Sequence, residues 1–436
     1  MKIVKLVIEK LFGIYSYHID FASDEFSLKL ITGPNGYGKT TILKIVSALQ
    51  TSELYYFYKL RFNSIVFVFD DSSRLEIIQQ AVNNDRELTD NQLGDMRVTQ
   101  SNRVDFFWKR EDGEVARFSY NENDIRNVLR KLRYDMDTPR EIQREIQHKN
   151  WSSPLLDEFL LHSEAFNNLL VEKNGQSGFM MQLQLIRSAY IPANRIYQDA
   201  FSTDSELPIE HVVDKIRDKL GFVKMKYFTE SVSDDSKFIK EILANRGLRL
   251  SEEEYLLQRE KLQELVTKFA KYVPISIDIP EYSEKHSDIL SYYINRLVSR
   301  FEGLNKYIDK FSLFDAMLRE KSFSNKKVTF SPHFGMRIES VTGEFIDVTL
   351  LSSGEQHEVV LLYNLIFEVP DSSILLVDEP ENSLHVAWQQ MIISDLMQIA
   401  KIKKLQLIVA THSPTIASYG RDYAVDLFYL NTGESF

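Results

Sequence analysis

Residues 27–49 read SLKLITGPNGYGKTTILKIVSAL, and the fold class follows from this stretch. Its apolar start predicts a buried strand, and the residues that follow the glycines have the spacing of a helix. Between them, GPNGYGKT at residues 33–40 matches the phosphate-loop pattern G-x-x-x-x-G-K-[ST] at every fixed position. Glycines let the backbone aim N–H groups at phosphate oxygens, and the helix adds its N-terminal dipole. The stretch therefore predicts a nucleotide-binding loop between a strand and a helix.

Two polar residues of this loop have a predicted chemical role toward ATP. Lys39 is expected to reach the β- and γ-phosphates, and Thr40 is expected to ligate Mg²⁺. The loop residues that we predict to bind the nucleotide are Gly33, Pro34, Asn35, Gly36, Tyr37, Gly38, Lys39, Thr40 and Thr41.

A second motif, ILLVDE at residues 374–379, is an apolar run that ends in two acids. Apolar runs of this kind are typical of strands buried in a parallel sheet. Acids commonly end strands, so the motif alone is weak evidence for a nucleotide site. The phosphate loop upstream makes it informative. In that context Asp378 is predicted to be an outer ligand of Mg²⁺, and Glu379 to orient the attacking water.

Two further motifs lie in the carboxyl-terminal part of the chain. Residues 351–356 read LSSGEQ and precede a helical pattern, while THSP at residues 411–414 follows the buried run Leu405–Ala410. The serines of the first motif could also form an ordinary helix cap. The histidine of the second could equally be satisfied locally.

With the phosphate loop and the two acids, these motifs resemble ABC-type ATPases of the SMC, Rad50 and OLD-like branch. The resemblance implies that the LSSGEQ signature binds the γ-phosphate held by the phosphate loop of a second protomer, and that His412 contacts the γ-phosphate. The signature residues implied are Ser352, Ser353, Gly354 and Glu355, and the implied catalytic residues are Glu379, Lys39 and His412.

Two elements of the family pattern are incomplete. The family's D-loop falls on ENSLH at residues 381–385, where Val386 replaces the usual proline, and only an interface role of Ser383 and His385 is carried over. In the family, a glutamine couples a lid over the nucleotide to the metal, and no residue of this sequence matches that glutamine firmly. The candidates near this position are Asn194, Arg195, Gln182 and Gln184, and the element stays unassigned.

The middle of the chain is predicted to be helical. An a/d heptad stripe runs through Glu284–Glu320, and Ser251–Val273 repeats the same spacing, which predicts a helical hairpin. Two amphipathic helices packed on the body are the alternative. The longer helix would overhang the shorter one, so that Phe311, Phe314 and Leu318 are expected to form a docking surface. The predicted fold is therefore α/β: an ABC-type P-loop ATPase head, with mixed and parallel sheets, interrupted by a coiled-coil-like helical insertion. The predicted ranges are 1–200, 201–325 and 326–436.

Composition limits the remaining function classes. The 436 residues carry a net charge of −11 and no cysteine, which excludes disulfides, cysteine–zinc sites and thiol nucleophiles. No signal peptide or membrane-spanning run is recognisable, so a cytoplasmic protein without membrane contact is expected. The overall charge does not support DNA binding, and direct contact with DNA stays undecided. One locally basic stretch is interleaved with acids, which favours a solvated face: Arg126, Arg130, Lys131, Arg133, Arg140, Arg144 and Lys149.

The expected function is that of an ATPase that dimerises, or forms a larger homo-oligomer, around ATP and gates a partner. A transporter subunit is disfavoured because Lys39 and Ser352 lie far apart in the chain. A Rad50-like DNA-repair ATPase would need longer arms and a cysteine hook. An OLD nuclease would need a Toprim domain after His412. The chain resembles the stand-alone ATPases of prokaryotic phage-defence systems such as PARIS, Septu and the retron-associated ones. In those systems the effector, such as a Toprim or HNH nuclease, is a separate chain.

Overall fold

The computed structural model describes residues 1–21, 28–82, 101–135, 138–148, 153–173, 177–193, 208–244, 249–320, 326–382 and 386–432. The chain forms two compact units. The first combines Met1–Asn194 with Val369–Phe436, and the second is Arg195–Glu368. The second unit thus extends beyond the expected insertion of residues 201–325 and includes the signature motif.

The elements are numbered in chain order through both units. Those of the amino-terminal part of the first unit are β1 (Ile3–Leu11), β2 (Tyr15–Asp20), β3 (Leu28–Thr32), α1 (Lys39–Gln50), α2 (Leu54–Lys59), β4 (Ser64–Phe69), β5 (Arg74–Val82), β6 (Ser101–Arg110), β7 (Gly113–Asn121), α3 (Glu122–Leu132), α4 (Arg140–Gln147), α5 (Pro154–His162), α6 (Glu164–Lys173), α7 (Ser177–Leu183) and β8 (Ser188–Ile191).

The second unit follows, and the chain then returns to the first. The second unit consists of α8 (Pro208–Ala244), α9 (Glu252–Ala270), α10 (Ser287–Glu320), β9 (Lys326–Ser331), β10 (Gly335–Ser340), β11 (Phe345–Ile346) and α11 (Ser353–Tyr363). The remaining elements of the first unit are β12 (Ile374–Asp378), α12 (Val386–Lys403), β13 (Gln406–Ala410), α13 (Pro414–Tyr419), β14 (Ala424–Asp426) and α14 (Leu427–Thr432).

The described residues of the first unit form two sheets. An antiparallel sheet has the order β2-β1-β4-β5-β6-β7, and a parallel sheet has the order β14-β3-β13-β12-β8. Every residue of β3, β12 and β13 is buried, and the continuous apolar runs predict this for β12 and β13. Because the strands are parallel, their carboxyl ends meet at one edge. That edge carries the phosphate loop, the two acids and the histidine motif.

Helix α1 anchors the phosphate loop in the core of this unit. Ile42, Leu43, Ile45, Val46 and Leu49 are buried and belong to the core cluster that the two sheets share. Truncating one such side chain to alanine typically costs about 2–5 kcal/mol. The loop thus connects two elements that are firmly packed. The predicted α/β class with a helical insertion is confirmed, and of the two sheets described in this unit one is parallel, as expected, and the other is antiparallel and not mixed.

The predicted helical hairpin in the second unit is wrong in its direction. Ion pairs join Arg249 to Asp288, Lys261 to Glu302 and Lys268 to Asp309, so the residue numbers rise together along both helices. Helices α9 and α10 therefore run parallel. The chain between them returns along α9, where Tyr255 donates its hydroxyl proton to the carbonyl of Pro280 (2.9 Å). Ten irregular residues, 274–283, can reach about 33 Å, which exceeds the roughly 28 Å of a 19-residue helix.

A third helix, α8, completes this arrangement and has no counterpart in the predictions. Its Tyr227 lies 5.6 Å from the ring of Phe269 on α9 and 5.7 Å from that of Phe301 on α10. The heptad stripe therefore faces two partner helices inside one unit.

The expected docking surface at the end of α10 is also wrong. Phe311, Phe314 and Leu318 are buried. The ring of Phe311 lies 4.8 Å from that of Phe367, and the ring of Phe314 lies 5.7 Å from that of Phe330 on β9. The overhanging turns thus pack within their own unit, because the three-stranded sheet β11-β10-β9 and the segment after α11 supply apolar partners. Among the helices described, none combines the length and apolar character that a membrane span requires.

Candidate nucleotide-binding site

The phosphate loop contains glycines with positive φ angles. Gly36 and Gly38 have φ angles of +86° and +90°, a region that costs other residues strain. A Cβ on Gly38 would also lie 3.0 Å from Leu11 Cδ2. Lys39 Nζ donates hydrogen bonds to the carbonyls of Gly33 (2.7 Å) and Pro34 (3.0 Å). The lysine thereby holds the loop in its curved form.

Lys39 carries a buried ammonium group surrounded by carboxylates. Burial lowers the pKa of Lys39, and the negative charges of four acids act in the opposite direction. These acids are Glu379, Asp378, Asp426 and Glu381. A desolvated cation at a glycine loop is a site at which a phosphate anion gains favourable charge interactions.

Thr40 and Asp378, the two predicted magnesium ligands, are in direct contact. Thr40 Oγ1 donates to Asp378 Oδ1 (3.2 Å), and the hydroxyl of Tyr190 on β8 donates to Asp378 Oδ2 (3.1 Å). Asp378 is 3% exposed, and burial raises its pKa although both hydrogen bonds lower it. The carboxylate is thus fixed in orientation and short of solvation. A hydroxyl and a carboxylate at this spacing fit a hard divalent cation such as Mg²⁺.

Glu379 projects from a strained turn at the end of β12. Its φ angle is +45°, and its N–H donates to the carbonyl of Ala410 on β13 (2.8 Å). Asn382 Nδ2 donates to Glu379 Oε2 (2.7 Å), and His412 Nε2 lies 3.3 Å from Glu379 Oε1. Left-handed backbone at a non-glycine residue is concentrated at functional sites. The structure thus brings together Glu379, the predicted water-orienting acid, and His412, the histidine expected to contact the γ-phosphate.

A group of aromatic side chains borders the phosphate loop. The ring of Tyr37 lies 5.0 Å from that of Tyr15 and 6.0 Å from that of Phe428. The hydroxyl of Tyr17 donates to the carbonyl of Tyr37 (2.7 Å). These contacts secure the middle of the loop. Asn35, which precedes them, is exposed, whereas Thr41 begins the first turn of α1 and is partly buried.

The signature residues lie in the second unit, where they begin α11. Ser352 Oγ accepts a hydrogen bond from the N–H of Glu355 (3.3 Å), and the Glu355 carboxylate accepts one from the N–H of Ser352 (3.0 Å). Glu355 is buried and also pairs with Lys326. Its carboxylate is therefore engaged in capping the helix. Ser352 and Ser353 are exposed, and Gly354 is partly exposed.

Three side chains of the first unit that sequence reasoning did not assign contact the site: Tyr190, Glu381 and Asn382. Tyr190 lies on β8, close in sequence to Asn194 and Arg195, and no pattern in the sequence singled it out. Gln182 lies on α7 and Gln184 directly after it, and neither is assigned a role. Asn194, Arg195, Ser383, His385 and Lys149 fall outside the described residues.

Comparison with known proteins agrees with this geometry. The AAA ATPase domain family matches residues 1–417. A search of curated proteins gave no match.

Solved structures that match include SMC head domains at low similarity. A Smc head bound to the C-winged helix domain of ScpA is 14% identical, with 96% of this chain and 92% of that chain covered and a TM-score of 0.35. The head domain from Thermotoga maritima is 12% identical, with the same coverage and a TM-score of 0.31. Because the family match spans nearly the whole sequence, the chain belongs to the AAA ATPase domain family.

Proposed function

We propose that this protein binds ATP with Mg²⁺ at the phosphate loop and hydrolyses it in the cytoplasm. The observation that carries the proposal is the convergence of two residue pairs beside Lys39. Thr40 lies 3.2 Å from Asp378, and Glu379 lies 3.3 Å from His412. The first pair suits a metal bound to phosphate oxygens, and the second suits a water molecule in line with the γ-phosphate. All of these residues stand at the carboxyl edge of one parallel sheet.

The residues divide the work of binding. Lys39 exchanges its hydrogen bonds to the loop carbonyls for the β- and γ-phosphate oxygens, while the N–H groups of the loop and of α1 bind the same anion. Thr40 and Asp378 hold Mg²⁺. When bound, this ion would supply positive charge that stabilises the negative charge developing on the phosphates. Tyr190 keeps the Asp378 carboxylate oriented toward Thr40.

Glu379 has the position of a general base. Asn382 holds one of its carboxylate oxygens, and the other faces His412. A water held by this second oxygen can lose its proton to Glu379 as it attacks phosphorus. His412 then contributes a donor toward the γ-phosphate. General bases contribute on the order of 10²–10⁴ in rate.

Assembly belongs to the same proposal. Ser352, Ser353 and Gly354 are accessible at the start of α11 and complete the site of a second protomer, so that the protein acts as a homodimer or larger homo-oligomer. The ATP cycle then gates a separate effector, a nuclease of Toprim or HNH type, in phage defence. The resemblance of the signature to that of the OLD-like branch supports this finer assignment.

Two variants test the nucleotide chemistry. Lys39→Ala should lose ATP binding, because the phosphate charge loses its partner. Glu379→Gln should bind ATP normally and hydrolyse it at least about 10²-fold more slowly, because only proton acceptance is removed. Equilibrium dialysis and phosphate release measure the two quantities. Unchanged ATP binding by Lys39→Ala, or wild-type hydrolysis by Glu379→Gln, would contradict the proposal.

A further inference from the structure

The loop that carries His412 donates three hydrogen bonds to a single carboxylate, in addition to the hydrogen bond from the Thr411 N–H to the carbonyl of Ile31 (3.1 Å). Glu381 Oε1 accepts hydrogen bonds from Thr411 Oγ1 (2.8 Å), the N–H of His412 (2.7 Å) and the N–H of Ser413 (2.9 Å). Three donors on one carboxylate oxygen form a charge-assisted set, which is stronger than the same number of neutral hydrogen bonds. The backbone on both sides of the His412 Cα is therefore fixed by one side chain.

The same side chain is tied to the catalytic acid through the chain itself. Glu381 follows Glu379 by two residues, and the N–H of Glu379 donates to the carbonyl of Ala410, directly before Thr411. The segment after β12 and the segment after β13 are thus joined twice. This double connection sets the 3.3 Å separation between His412 Nε2 and Glu379 Oε1.

The far side of the loop is fixed as well. Ser413 Oγ donates to Gln389 Oε1 on α12 (3.2 Å), and Gln389 Nε2 donates to the backbone carbonyl of Glu381 (3.4 Å). Within the described residues, the second oxygen of Glu381, Oε2, is buried and accepts no hydrogen bond. Burying part of a carboxylate is costly. The hydrogen bonds that this carboxylate accepts therefore all come from residues 411–413, the loop that carries His412.

We propose that Glu381 is the positioning residue of the hydrolytic site: it aligns His412 with Glu379 through the backbone of Thr411–Ser413. The proposal rests on the proposed ATPase function and adds a residue to it. Glu381 need not touch the nucleotide. Its effect is on the rate of the chemical step and on the surroundings of the His412 ring. Misplacing a reacting group by about 1 Å can cost roughly 10²-fold in rate.

Kinetic measurements on matched variants test this role. Glu381→Ala removes the acceptor and should lower kcat by at least about tenfold while the Kd for ATP stays unchanged. Glu381→Gln keeps an acceptor oxygen and should retain kcat within about threefold. Glu111→Ala, in the exposed turn between β6 and β7, is the control and should behave as wild type. If Glu381→Gln lost as much activity as Glu381→Ala, an acceptor oxygen at this position would not be enough to align the loop and the proposal would fail.

A double-mutant cycle identifies the route of the effect. Because Glu381 acts through His412, adding Glu381→Ala to His412→Ala should lower kcat by less than about twofold. Fully additive losses would overturn the proposal. Should Glu381→Ala not fold, Thr411→Val removes one of the three donors with little change in shape. Thr411→Val is expected to reduce kcat severalfold in the wild-type protein and to have no further effect in His412→Ala.

A measurement without turnover separates this inference from the ATPase proposal. The chain has nine histidines, so the imidazole signals of isotope-labelled protein can be assigned with His412→Gln. The His412 signal should shift in Glu381→Ala and stay in place in Glu381→Gln. An unmoved signal in Glu381→Ala overturns the positioning role even if ATP is hydrolysed. A shifted signal in a protein that does not hydrolyse ATP supports the positioning role and refutes the ATPase proposal.

Discussion

Single residues at the carboxyl edge of the parallel sheet carry charge that is poorly solvated. Asp378 is 3% exposed and Lys39 is 5% exposed. Burial moves the pKa of Asp378 up and that of Lys39 down, which is the direction that neutralises each group. The apo site is therefore destabilised in a way that bound phosphate and Mg²⁺ can relieve. Functional sites commonly reduce stability for this reason.

Asp378→Asn should make the apo protein more stable, on the order of 1 kcal/mol, since the amide keeps partners in Thr40 and Tyr190 without a buried charge. Because the folded protein binds the Asp378 proton more tightly than the unfolded chain does, the carboxylate lowers the free energy of unfolding as pH rises from about 4 through the raised pKa. The gain should thus be larger near pH 8 than near pH 5.

Thermal unfolding with and without nucleotide checks this prediction. The wild type should gain stability from ATP with Mg²⁺ beyond that from ATP with a chelator, whereas Asp378→Asn should not. An Asp378→Asn protein that is less stable in the apo form at both pH values would show that the carboxylate is a structural group.

Secondary-structure elements were predictable where the pattern was local. The strands β12 and β13 were recognisable as continuous apolar runs, β3 as a short apolar run before the phosphate loop, and the loop itself by its glycines. The relative direction of α9 and α10 was not predictable. A heptad stripe indicates which face of a helix is buried, and it does not indicate whether the paired helices are parallel or antiparallel. The contacts of Tyr190 and Glu381 depend on strand order, which no local pattern carries.

The hairpin between β9 and β10 contains a glycine that packs closely against α8. Gly335 has a φ angle of +72°, and a Cβ on it would lie 2.1 Å from the carbonyl oxygen of Val213 on α8. Gly335→Ala must displace α8 and should destabilise the second unit by more than about 2 kcal/mol. Gly343 has a similar φ of +84° with nothing within 4 Å of its Cβ. Gly343→Ala therefore serves as the control and should cost about 1 kcal/mol from backbone strain alone.

Urea unfolding of the two alanine variants measures the difference. Equal losses would mean that the backbone conformation, and not the close approach of α8, requires glycine at residue 335.

For the whole molecule, the proposed function needs residues from both units, since the phosphate loop belongs to the first and the signature to the second. The proposal assigns the two halves of each ATP site to different protomers. Glu379→Gln should therefore form a dimer or larger assembly when ATP is added, as measured by light scattering. Ser352→Arg places a bulky cation at the start of α11 and should prevent this assembly while leaving ATP binding intact. A monomeric protein with normal ATP turnover would refute the shared site.

In the proposed mechanism, Glu379 activates water at a site where Lys39 binds the phosphates of ATP. The most direct test is the chemical identity of the nucleotide that stays bound after one turnover. Wild type and Glu379→Gln are loaded with radiolabelled ATP and Mg²⁺, separated from free nucleotide, and quenched in acid over time. We expect the wild type to hold ADP and Glu379→Gln to hold intact ATP. ADP on Glu379→Gln, formed at the wild-type rate, would show that Glu379 does not activate the attacking water.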